Sequence, residues 1–233
     1  MSISKKLMLA AAAVAPMALS AAAIPAHAQV SGIATAEPTV AIADSNAFKT
    51  ANQQIATTYK SNLDQARAKE QTRQTLLAQL DTNHDKQVDN AELQKAQQEK
   101  SPVLKQVQQI DDEINKLNDP AIKAQAYAIE QIAQKYQVAQ DAVVAAKKVN
   151  VILSPDSLLY APDSANITDD LTKQLNATVP SVSIAVPANW QPSRQIMNLQ
   201  KQIQQIQQIA ALRAAQQQQT TQPAKTSPAP KGR

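Results

Sequence analysis

Oxygen-bearing side chains recur at fixed spacing in the stretch DTNHDKQVDNAE. Asp81, Asn83 and Asp85 stand at its first, third and fifth places, Asp89 at the ninth and Glu92 at the twelfth. A hard cation such as calcium takes roughly six to eight oxygen ligands, and a twelve-residue loop between two helices supplies them from these places. The expected ligand set is Asp81, Asn83, Asp85, the backbone carbonyl of Gln87, Asp89 through a water, and a bidentate Glu92. Val88 fills the eighth place, where such loops carry an apolar residue. Lys86 fills the sixth, where the sharp turn favours glycine. A left-handed lysine costs ~1 kcal/mol, and its charge lies near the ion. The expected affinity is therefore weak, on the order of 10⁻⁴–10⁻³ M. His84 is expected to face solvent rather than ligate. The competing interpretation is a solvated acidic turn at a helix boundary, since Asp and Asn favour caps.

Little else in the chain is equipped for chemistry. It has no cysteine, and its two glycines, Gly32 and Gly232, lie near the ends. Without interior glycine there is no phosphate-cradling loop, dinucleotide fingerprint or nucleophile elbow. Beyond the first 28 residues the one histidine is His84, so Ser–His or Cys–His chemistry lacks its parts. An enzyme is not expected, and no cofactor is required; weakly held calcium is the one ion the residues invite. The formal charge is +4, of which Lys5 and Lys6 supply two. Lys225, Lys231 and Arg233 supply three more, so residues 29–215 carry −1. Aromatic residues make up 3%. A near-neutral body with so few aromatics offers nucleic acid no footprint.

Residues 1–28 read as a secretory signal. MSISKK is basic, LMLAAAAVAPMALSAAA is apolar, and Ala26-His27-Ala28 is a small-x-small cleavage site. No cysteine comes next for a lipid anchor, and no later segment approaches the ~20 apolar residues of a membrane span. The expected location is the periplasm.

The elements that would position the loop are long helices. After a leader at 29–38, TVAIADSN (39–46) is strand-like, and Asp44 or Ser45 can cap the helix after it. From Asn46 to about Leu80, Phe48, Ala51, Ile55, Tyr59, Leu63 and Ala66 recur at helical spacing. Beyond the loop lies a short helical stretch, to Lys100. Ser101-Pro102 is a cap with proline at the first helical position, and Asn118-Asp119-Pro120 repeats the signal. Val103, Val107, Ile110, Ile114 and Leu117 form a narrow seam, continued by Ile122, Ala126, Ile129, Ala133, Tyr136 and Val143. VNVILSP (149–155) and SVSIAVP (181–187) are strand-like, and Thr168 is placed to cap a helix between them.

These elements group into domains. A β-containing body is built from 39–45 and 149–187, and 46–148 form a helical hairpin arm carrying the loop 81–92. Residues 193–215 form a C-terminal coiled-coil helix, and 216–233 a disordered tail. The fold class is α+β and mostly helical: a small β body with a long antiparallel helical-hairpin tentacle and an extra C-terminal helix. The hairpin tip is expected between Asp81 and Pro102. Ile196, Leu199, Ile203 and Ile206 with Ala210 make a heptad seam that leans toward trimers. Trp190 beside Pro192 is expected to anchor the chain on the body.

TVAIADSNAFKTA near the start and KKVNVILSPDSLLYAPDSANITDDLTKQLN after the helical excursion resemble the Skp/OmpH family of periplasmic chaperones. The resemblance covers roughly residues 38–178. It implies a homotrimer with a β-rich body and helical tentacles that hold unfolded outer-membrane β-barrel proteins without ATP. Peripheral association with the outer membrane is a further expectation. Two other functions fit the residues: a structural coiled-coil spacer of the envelope, and a calcium-responsive adaptor sensing through Asp81–Glu92.

Overall fold

The structure, a computed structural model, describes residues 32–220. The signal at 1–28 and the tail from 221 lie outside the described residues. Gly32 opens the described chain at φ +101, and a Cβ there would sit 2.4 Å from Asn150 Nδ2. Only glycine allows this approach, which lets the Gly32 carbonyl accept from the N–H groups of Asn150 and Val151 at 2.6 and 2.9 Å. Two short strands extend from that contact. β1 (Ile33–Thr35) and β2 (Val151–Leu153) pair in parallel, with Ile33 opposite Val151, Ala34 opposite Ile152 and Thr35 opposite Leu153. A parallel pair needs a crossover, and here the whole helical arm is that crossover.

The expected strand at 39–45 is a helix, α1 (Pro38–Asp44). Pro38 at its start presets a helical φ and loses an N–H the helix would not have used. Ala41, Ile42 and Ala43 are then buried in the core. Packing overrides the β preference of Val40 and Ile42. Ser45 caps α2 (Asn46–Thr58) as expected, accepting from Phe48 N at 3.3 Å.

The first half of the arm is two helices rather than one. α2 ends at Tyr59 and α3 (Lys60–Leu77) begins there. The Asp81–Asp89 loop leads into α4 (Asn90–Gln98), and α5 (Pro102–Lys147) follows. Ser101 caps α5, accepting from Val103 N at 3.3 Å. At about 1.5 Å per residue, α5 is roughly 70 Å long. Pro120 does not restart the helix as its cap-like setting predicted; α5 runs through it. Neighbouring turns are held by packing: Ala121 and Ala124 are buried against Ile55. The seam shifts there too, leaving Ile122 half exposed. Contacts between α3 and α5 pair rising with falling numbers: Lys69 with Glu113 at 2.5 Å and Arg73 with Asp111 at 2.6 Å, while Asn52 of α2 meets Gln125 at 2.9 Å.

α6 (Thr168–Thr178) closes the body. Thr168 is its first residue, not its cap. Asn166 Oδ1 accepts from Thr168 N at 2.9 Å, while Thr168 Oγ1 accepts from Glu37 N at 3.0 Å and ties α6 to the start of α1. Residues 181–187 form no strand. α7 (Arg194–Thr220) runs past the predicted end at 215. Its seam does not wait for another copy: Ile196 and Ile203 are buried in the same core as Phe48, Ile129, Ile132 and Leu171. Covering the chain's own core removes more apolar surface from water than leaving the seam exposed, so the heptad is used internally.

Candidate functional site

The loop at 81–89 is closed by its own side chains. Asp81 Oδ2 accepts from Lys86 N at 2.8 Å, drawing the turn around. Asn83 Oδ1 accepts from Asp85 N and Asp85 Oδ1 from Gln87 N, both at 2.8 Å. Asp85 Oδ2 accepts from Asn83 Nδ2 at 3.1 Å. Lys86 has φ 69 and His84 φ 62, so the sixth place is left-handed as the spacing predicted, with lysine bearing the strain.

Glu92 sits beneath this turn and is 6% exposed. Its Oε1 accepts from Thr82 N at 2.6 Å, Thr82 Oγ1 at 3.0 Å and Asn83 N at 3.1 Å. Its Oε2 accepts from Asp89 N at 3.2 Å, while Asp89 Oδ1 accepts from Glu92 N at 2.9 Å, a reciprocal capping box at the start of α4. Burial pushes the Glu92 carboxyl upward, but the N–H groups of Asn83, Asp89 and Thr82 and the Thr82 hydroxyl outweigh it, and the net shift is downward.

The structure thus gathers Asp81, Asn83, Asp85 and Glu92 into one hydrogen-bonded loop. Asp89 is a cap, and Gln87 enters through its N–H. The donor chemistry fits a hard cation, since every candidate ligand atom is an oxygen. One oxygen, Asp81 Oδ1, is buried without a hydrogen-bond partner. Among the described residues, however, no group of three or more His, Cys, Asp or Glu stands ready to hold a metal ion. Glu92 is engaged by four donors and would have to leave them to ligate.

The second surface is the arm with the body it springs from. Ile33 and Val151 on the strands, and Leu159 and Tyr160 in the turn after β2, are exposed. The same Leu158–Tyr160 turn lines a recess of about 360 Å³ with Thr35, Glu37 and Asn166. Beyond α6, Val179 is buried, residues 181–187 run over α5 without joining a helix or a sheet, and a turn in which Trp190 N donates to Pro187 O at 3.0 Å follows. Trp190 Nε1 donates to Glu130 Oε2 at 2.6 Å, and its ring meets Tyr127 edge-on at 5.2 Å. Trp190 is thus an anchor, but on α5 rather than on the 39–45 and 149–187 body where it was expected.

A family model for OmpH-like outer membrane proteins matches residues 32–175, which hold both strands, the arm and most of α6. The chain belongs to the OmpH-like family. No curated protein matches it. Among solved structures, it is similar to a Caulobacter crescentus protein described as an OmpH-like outer membrane chaperone, with 15% identity and a TM-score of 0.41. That similarity covers 65% of this chain and 88% of the other. The OmpH-like match ends at residue 175, so residues 181–187 and α7 lie outside the matched region. The sequence singled out the loop, but gave the segment at 181–187 no role beyond a strand. Its alternation of apolar residues was visible, yet it reads equally as a sheet strand.

Proposed function

We propose that this protein is an ATP-independent periplasmic holdase that keeps unfolded outer-membrane β-barrel proteins from aggregating. The observation that supports it is the OmpH-like match over both strands and the arm. In the proposed organisation, α2 and α3 run antiparallel to α5 as a hairpin arm, which the opposed numbering of the Lys69–Glu113 and Arg73–Asp111 contacts supports. Three copies join through the body. A two-stranded sheet of three residues per strand buries too little to be stable alone, and exposed Ile33, Val151, Leu159 and Tyr160 supply apolar surface for the joint. Holding a client needs many weak contacts within an enclosed space and no catalytic group. No helix among the described residues is long and apolar enough to cross a membrane. Any attachment to the outer membrane is then peripheral.

The test is light scattering of a urea-denatured outer-membrane β-barrel diluted into buffer with the purified protein. Suppressed scattering at stoichiometric trimer is the expected result. Unchecked scattering removes the holdase and favours an envelope spacer.

The buried, unpartnered Asp81 Oδ1 favours a second function for the loop. Asp81, Asn83, Asp85, the Gln87 carbonyl and Asp89 would hold calcium, with Glu92 joining them after leaving its capping box. The ion would supply charge neutralisation and stiffen the arm tip. Calcium titration monitored by amide shifts of Thr82 and Asn83 should show millimolar saturation. Asp81→Ala with Glu92→Ala should abolish it, and flat shifts in the native protein would leave the loop a capped turn.

A further inference from the structure

Residues 181–187, SVSIAVP, lie on the arm in an unusual way. The segment belongs to no sheet, yet its burial alternates with the period of a strand: Val182, Ile184 and Val186 are half-buried, and Ser181, Ser183, Ala185 and Pro187 are exposed. The buried side chains pack on helices. Ile184 and Val186 join Ile55, Tyr59, Leu63, Ala121 and Ala124, and Val182 joins the main core. Ala121 and Ala124 add little side-chain bulk to this trough, so the passing backbone can approach α5 closely. One side chain grips that backbone at both of its polar groups: Gln131 Nε2 donates to Ser183 O at 2.9 Å, and Gln131 Oε1 accepts from Ser183 N at 3.0 Å. A further Nε2 bond to Tyr127 O, at 3.1 Å, holds the carboxamide in place.

This mode of binding asks little of the bound sequence. The amide clamp takes any residue that has an N–H and a C=O, and the trough takes any apolar side chain at every second position. Strands of outer-membrane barrels alternate in that way, over segments of about ten residues. We propose that the trough formed by α2, α3 and α5 is a binding groove for extended, alternately apolar chain segments, and that residues 181–187 are its resident occupant, displaced by clients. The inference rests on the holdase function proposed above and names where the client lies. Tethering between Val179 and Trp190, each seated on the core, gives the resident segment a high effective concentration. It shields the groove when no client is present and yields to a long client that offers many such segments.

The test is binding of a fluorescein-labelled peptide of about ten residues, with Val or Ile alternating with Ser or Thr. A control peptide has the same composition with its apolar residues in one block. Replacing Val182, Ile184 and Val186 by Ser should free the groove and tighten binding of the alternating peptide by about fivefold or more. The gain should be absent for the block peptide and lost on adding Gln131→Ala. A second variant guards against loosening of the fold. The chain has no cysteine, so Tyr59→Cys with Val186→Cys can be bridged by a short bis-maleimide. Bridging should suppress peptide binding relative to the same protein unbridged. Equal affinity for both peptides, no gain in the triple variant, or indifference to bridging would each overturn the groove. Scattering of the β-barrel client by the unmodified protein is measured alongside. Suppression there with a failed peptide result leaves a holdase that binds its clients elsewhere.

Discussion

Glu92 caps α4, and in the proposed calcium site it would have to leave that cap. Its folded pKa is lowered, so its contribution to stability is complete above the ordinary glutamate range. That contribution fades as pH falls through this range and is gone below the lowered folded value. The amide shifts of Thr82 and Asn83, which donate to it, should therefore titrate with a midpoint below that of an exposed glutamate. A midpoint at or above the ordinary range would mean the bonds do not favour the charged form. Tyr136 presents the opposite case. Burial raises its pKa, and its hydroxyl is buried without a hydrogen-bond partner. Leaving such a group unpaired costs roughly 1–3 kcal/mol, so Tyr136→Phe should be neutral or raise Tm. A clear fall in Tm would reveal a partner for the hydroxyl. The turn was legible at this scale because Asp and Asn at fixed spacing close a loop onto its own N–H groups. The state of Glu92 was not legible, because a capping box uses the same Asp–x–x–Glu spacing as the last two ligand places.

Among the elements, the arm carries two discontinuities. Tyr59 separates α2 from α3, and Pro120 lies inside α5. The apolar cluster of Ile55, Ala121 and Ala124, with Tyr59, Ile184 and Val186 packed on it, brings the two to the same level. A proline inside a helix costs up to ~3 kcal/mol relative to alanine. Pro120→Ala should thus raise thermal stability by a measurable part of that figure, monitored by circular dichroism. Unchanged or lowered stability would show that the surrounding packing is adapted to the proline. The joints of α7 are polar as well as apolar. Gln200, 6% exposed, donates to Ile122 O at 3.1 Å and to Gln125 Oε1 at 2.9 Å. These bonds and the buried Ile196 and Ile203 explain why its heptad seam is not a free coiled-coil face.

For the whole molecule, the proposed trimer would join through the exposed apolar residues of the body. Leu159 and Tyr160 are almost fully exposed, and Ile33 and Val151 are the exposed first pair of a sheet of two short strands. Sedimentation equilibrium should give the mass of three chains. Leu159→Ser with Tyr160→Ser should shift the mass toward one chain and weaken aggregation suppression with it. A mass unchanged by the double substitution would place the joint elsewhere on the body.

The helices on either side of the loop and the caps at Ser45 and Ser101 were determined by the sequence itself. Each rests on local rules: apolar residues at three- and four-residue spacing, a hydroxyl before a helix, a proline in a first turn. Three features were decided only by tertiary structure. Residues 38–44 became a helix because their apolar side chains found a core to enter. α5 crossed Pro120 because burial of Ala121 and Ala124 against Ile55 outweighed one lost hydrogen bond. Residues 181–187 kept the two-residue period of a strand but joined no sheet, because their partners are helices far away in the chain. The period of a segment records which side chains are buried, and the fold alone decides against what.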